Sequence, residues 1–166
     1  MSIDFFQERC QDNSNQKLFG LCDDQHNERA YLDEKDGSKW IAIVVNEYKY
    51  EVTFIAIDHC IKIKKVDGKM VKRCDGLMFF NSTIIFVELK ERGYLGNKWV
   101  EDGEKQLRSS IVHFEATYAS LDYKKKKAYI ANKEHPRFKE SQTRRMAQFQ
   151  DDTGYILRIE NRIILE

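Results

Sequence analysis

Arg73-Cys74-Asp75-Gly76, a turn at Asn81-Ser82, and then Thr83-Ile84-Ile85-Phe86-Val87-Glu88-Leu89-Lys90 form the stretch that decides the fold. Residues 83–87 are apolar or β-branched without a break. A strand with no polar alternation is one covered on both faces, so this run reads as a central strand. It ends in charge. Side chains two apart on a strand share a face, so Glu88 and Lys90 project together while Leu89 points the other way. The turn at 81–82 lays the preceding strand alongside. Asp75 and Glu88 then converge from neighbouring strands.

Working outward, residues 40–45 and 50–57 are two β-type runs, and Asn46-Glu47-Tyr48-Lys49 between them reads as a hairpin turn. Residues 61–66 and 70–80 flank Asp67-Gly68, a strong hairpin signal. After the central strand the period changes. Leu107, Ile111, Phe114, Tyr118 and Leu121 fall on one face of a helix, with Asp102 as its expected cap. A short strand at 128–131, a loop at Pro136, a helix over 141–150 with Met146 and Phe149 inward, and closing strands at 155–159 and 162–165 follow. At the other end, 2–10 reads as a short helix capped by Ser2, with Phe5, Phe6 and Cys10 inward. The order predicts an α/β (α+β) domain with a central mixed sheet flanked by helices. One domain over 1–166 is expected, with an N-terminal elaboration at 1–49, a core at 50–131 and a closing part at 132–166.

The 166 residues are 42% hydrophobic and 33% charged, with one proline. Such a chain can form a real core and is neither disordered nor low in complexity. Its 28 Lys and Arg against 27 Asp and Glu leave a net charge of +1, so any surface for nucleic acid must be local. No apolar run reaches the ~20 residues of a membrane helix, and the first residues lack the pattern of a signal peptide. A cytoplasmic protein is expected, with Cys10, Cys22, Cys60 and Cys74 as reduced thiols, because their spacing fits no zinc motif.

Two carboxylates that converge repel unless a cation lies between them. Mg²⁺ binds oxygen ligands and keeps several waters, so two carboxylates and a backbone carbonyl suffice. Asp75, Glu88 and the carbonyl of Leu89 are the expected ligands. A lysine beside such an ion, Lys90, can position and deprotonate water or neutralise charge on phosphorus. The set suits phosphodiester hydrolysis.

Asp75, twelve residues, then Glu88-Leu89-Lys90 resembles the PD-(D/E)XK nuclease superfamily, which includes restriction endonucleases and Holliday-junction resolvases. The resemblance spans about residues 50–131. It implies a restriction endonuclease-like α-β-β-β-α-β core, a Mg²⁺ (or Mn²⁺) cofactor, and cleavage of DNA, less often RNA. Asp75 and Glu88 would hold metal and Lys90 would assist water. Some branches carry a glutamine on the following helix, and Gln106 is the match. Cys74 stands where the family name has proline. The family's acidic residue on the first helix has three candidates, Glu8, Glu47 and Glu51. The β-rich N-terminal part exceeds the minimal core.

Other signals compete with plainer explanations. Lys98 is a candidate for phosphate contact, whereas Trp99 is expected to pack on the core. Residues 91–99 would form a substrate loop or an ordinary strand–helix connection. Lysines 124–127 read as a solvated run, and Arg137, Lys139, Arg144 and Arg145 as a basic cluster near the last helix. His26, His59, His113 and His135 have no ligand spacing. DNA is the expected partner, with RNA second and no membrane; a homodimer would suit double-strand cutting. The runner-up is a non-catalytic nuclease-fold module that binds nucleic acid or a protein.

Overall fold

The computed structural model describes residues 3–91, 96–134 and 141–166. Ser2, 92–94, His135, Pro136, Arg137 and Lys139 lie outside them. Ten strands and two α-helices are seen among the described residues, in the order β1 (Gln11–Ser14), β2 (Leu18–Cys22), β3 (Tyr31–Asp33), β4 (Ala42–Val45), β5 (Val52–Ala56), β6 (Gly76–Phe80), β7 (Thr83–Lys90), α1 (Lys98–Glu115), β8 (Lys125–Asn132), α2 (Thr143–Thr153), β9 (Ile156–Arg158) and β10 (Arg162–Ile164). The protein is α+β with two mixed sheets.

The larger sheet runs β1-β5-β6-β7-β8-β9. Its first four strands are antiparallel, and β7, β8 and β9 are parallel. Parallel neighbours need a crossover, and α1 and α2 supply the two required. β7 is buried at every position from Thr83 to Leu89, as its unbroken apolar run requires. Trp99, Val100, Leu107, Ile111 and Phe114 form the buried face of α1. Phe86, Phe114 and Tyr155 meet edge to face beneath it.

The smaller sheet runs β10-β4-β2-β3. Here the structure departs from local sequence signals. Strands β4 and β5 do not form a hairpin; they belong to different sheets. Asn46 makes the crossing. Fully buried, it donates to the carbonyls of Gln16 and Tyr50 and accepts the Tyr50 amide. The closing strands divide likewise, β9 beside β8 and β10 beside β4. From residues 1–49, β1 joins the larger sheet and β2, β3 and β4 the smaller, which β10 completes.

Three local expectations also change. Residues 3–7 are irregular and only Glu8–Cys10 form a 3-10 turn, although Phe5 and Cys10 are buried as expected. Helix α1 begins after Asn97, not at Asp102, and ends at Glu115. The Thr117 amide and hydroxyl both bond to the Phe114 carbonyl and close it, which leaves Tyr118 and Leu121 exposed. Finally, Cys10 and Cys60 form a disulfide, whereas Cys22 and Cys74 are buried free thiols. Fifty residues separate the bonded pair in sequence, so no spacing motif announces it. No helix among the described residues is long and apolar enough to cross a membrane.

Candidate functional site

Phe80 pairs with Thr83 across the 81–82 turn, where Asn81 takes a φ of 49°. That register runs down to Gly76 opposite Val87. One position further, Asp75 stands opposite Glu88. There the ladder bonds pass to side chains. The Asp75 amide donates to Glu88 Oε1 at 3.1 Å, and the Leu89 amide donates to Asp75 Oδ2 at 2.7 Å.

Close packing fixes this point. A Cβ on Gly76 would lie 2.5 Å from the Phe54 ring and 2.7 Å from the Ile55 carbonyl. Across the site, a Cβ on Gly103 of α1 would meet Ile130 at 3.2 Å and Glu88 Cγ at 3.4 Å. Glycine at 103 thus lets the helix lie directly on the acid. About two turns on, Ser110 Oγ accepts the Cys74 amide at 2.9 Å and ties α1 to the residue before Asp75.

Lys90 Nζ lies 3.0 Å from Glu88 Oε2 and donates to Gln106 Oε1 at 3.0 Å. Asp75, Glu88, Lys90 and Gln106, the four candidates from the sequence, therefore meet at one place, and Leu89 lines the same cleft of about 280 Å³. Asp75 is 9% exposed and Glu88 1%. Glu88 has Lys90 as counter-ion, whereas Asp75 is in no ion pair among the described residues. Of the two buried carboxylates, the Lys90 ammonium thus pairs with Glu88. Burial, and then the charge of Glu88, hold the Asp75 carboxyl well above its ordinary range. Burial also raises Glu88, against the pull of Lys90.

Among the described residues, no three His, Cys, Asp or Glu side chains form a ready-made ligand cluster. The donor set nevertheless fits a hard cation that keeps much of its water: two adjacent carboxylates, one of them in no ion pair among the described residues. The wider cleft is acidic. Asp23, Glu28, Asp58, Glu91 and Asp102 also line it, with His59 as the further basic group.

Sequence reasoning missed Asp58 and His59. They follow β5 at the end of the sheet where Asp75 immediately precedes β6, and the Ile57 amide bonds to the Asp75 carbonyl. Arg73 Nη2 holds Asp58 at 3.2 Å, and His59 has a φ of 62°. A strand end beside Asp75 was the available signal. Asp23 and Glu28 come from the loop after β2, for which no local signal exists. Glu8, Glu47 and Glu51 are all exposed and none lines the cleft.

Of the other candidates, Lys98 is exposed and 3.8 Å from Asp102. Arg145 is engaged by Glu104 at 2.8 Å, and Arg144 is exposed on α2. Lys126 is paired with Glu115 at 2.7 Å. Trp99 is buried, as expected, and reaches the cleft. No protein-family model, curated protein or solved structure matches this chain.

Proposed function

We propose that the protein is a divalent-metal-dependent nuclease that hydrolyses DNA phosphodiester bonds at Asp75, Glu88 and Lys90. The observation that carries this reading is the buried Asp75 carboxylate, set against Glu88 and in no ion pair among the described residues. Such a group is stable with a proton or a cation beside it. The succession β5-β6-β7-α1-β8 supports it too, since it follows the order implied by the nuclease resemblance except for the leading helix.

Asp75, Glu88 and the Leu89 carbonyl would hold Mg²⁺ or Mn²⁺. The ion supplies Lewis-acid polarisation of a phosphate oxygen and lowers the pKa of water. Lys90 lies at the edge of this set. Its ammonium orients the attacking water and offsets the charge that gathers on the phosphoryl oxygens. Gln106 holds Lys90 in place from α1. Water adds its oxygen to phosphorus, one P–O ester bond breaks, and the proton passes to the leaving oxygen.

The test is incubation of plasmid, linear duplex and single-stranded DNA with the protein and Mg²⁺ or Mn²⁺. Cleavage is expected, and Asp75→Ala and Lys90→Ala should abolish it while circular dichroism stays unchanged. If no form of DNA or RNA is cut with either ion, the enzyme reading fails.

A further inference from the structure

We propose that the basic segment 61–73 is the surface that captures DNA backbone phosphates and delivers them to the Asp75–Glu88 cleft; this rests on the nuclease reading and names its substrate-binding wall. The segment holds Lys62, Lys64, Lys65, Lys69, Lys72 and Arg73 against one acid, Asp67. It thus carries five net positive charges in a chain that carries one, and the remainder is net negative.

The segment is anchored, not loose. Ile61, Ile63 and Val71 are buried. The Val71 amide bonds to Ile63 and the Lys65 amide to Lys69, around a turn where Gly68 has a φ of 83°. Arg73 Nη1 donates to the Ile61 carbonyl at 2.7 Å, and the Cys10–Cys60 disulfide fixes the base.

All five lysines are exposed, and none is in an ion pair among the described residues. Lys64 is bridged to Met70. The same register sets Lys65 opposite Lys69. Like charges directly across a strand pair destabilise it. A merely soluble turn gains nothing from such a pair, whereas a polyanion relieves it. Asp67-Gly68 closes a single bridge and not the long hairpin its sequence predicts.

Position completes the case. A groove of about 510 Å³ has Lys72 and Arg73 on one side and Lys90 and Gln106 on the other, with Asp58 at the boundary. The groove shares Asp58, Lys90, Asp102 and Gln106 with the acidic cleft. An acidic cleft by itself repels DNA, so the attraction must come from its border. Met70, Val71, Lys72 and Arg73 bring the lysine segment to that border.

The experiment is fluorescence anisotropy of a labelled DNA duplex with the full chain in EDTA, across 50–200 mM salt. Each phosphate contact contributes about 0.9 to the slope of log K against log salt. Replacing all five segment lysines by glutamine should weaken binding at least tenfold and lower that slope by about three or more. The control, Lys17→Gln with Lys49→Gln at the opposite end of β5, should change neither. An unchanged slope in the five-lysine variant, an equal loss in the control, or tighter binding of an RNA duplex overturns the proposal. If DNA binding depends on the segment but no metal supports cutting, the nuclease reading fails and the binding surface stands. If cutting proceeds equally well without the five lysines, the reverse holds.

Discussion

Asp75 and Glu88 orient each other: the amide of Asp75 bonds to the Glu88 carboxylate, while the Asp75 carboxylate takes the amide that follows Glu88. Each acid is held by the strand that carries its neighbour. Neither can swing away without breaking a buried hydrogen bond, so their repulsion is built into the fold.

That repulsion should be visible as stability. In EDTA, Asp75→Asn keeps an oxygen for the Leu89 amide and removes a buried charge. We expect a gain of about 1–2 kcal/mol, or a Tm rise of about 2–4 °C per kcal/mol. The pH dependence has a definite sign. The folded pKa of Asp75 lies above its unfolded value, so its favourable contribution is complete below the unfolded pKa and is lost as pH rises through the folded one. The Tm of the wild type relative to Asp75→Asn should therefore fall as pH increases from about 4. Thermal melts across that range provide the check, and a variant less stable than wild type throughout contradicts it.

Lys90 and Gln106 should separate kinetically. Removing the ammonium in Lys90→Ala should cost about 10³-fold or more in kcat, the scale of a positioned acid–base or charge-stabilising group. Gln106→Ala leaves the ammonium but frees it from its 3.0 Å partner, and about 10-fold to 100-fold is expected with KM little changed. Steady-state rates on a defined DNA duplex measure both. A Gln106→Ala rate equal to wild type would reduce Gln106 to a helix-surface residue.

The site itself was largely legible in the sequence. A two-residue turn at 81–82 fixes the register, and that register alone sets Asp75 opposite Glu88. The parity of a strand places Lys90 on the side of Glu88, and helical spacing brings Gln106 over it. What local pattern does not carry is the choice of sheet. Asn-Glu-Tyr-Lys at 46–49 has the composition of a hairpin turn, yet buried Asn46 spends its side chain on Gln16 and Tyr50 and sends the chain to the other sheet. Asp58 and Cys60 acquire their roles through pairing with distant segments, which periodicity does not register.

The disulfide makes a prediction of its own. Protein purified without reductant should show two free thiols, Cys22 and Cys74, and neither should react with iodoacetamide at pH 8 in the folded state. Burial, with Asp33 nearby, pushes the Cys22 thiol up to about 12, and burial raises Cys74 well above its ordinary range. Cys10→Ser with Cys60→Ser should lower stability by about 2–4 kcal/mol, since a loop of this length gives about 4 kcal/mol by chain entropy. Thiol counting and urea unfolding measure these effects. Four titratable thiols in the air-oxidised protein would contradict the bond and favour the reduced state expected of a cytoplasmic chain.

The most direct test of the central claim is Mn²⁺ binding, followed by electron paramagnetic resonance or calorimetry, for the wild-type chain and for Asp75→Asn and Glu88→Gln. The two carboxylates predict saturable binding that competes with Mg²⁺ and is lost in each variant. Equal binding by all three proteins, or none by the wild type, would contradict it.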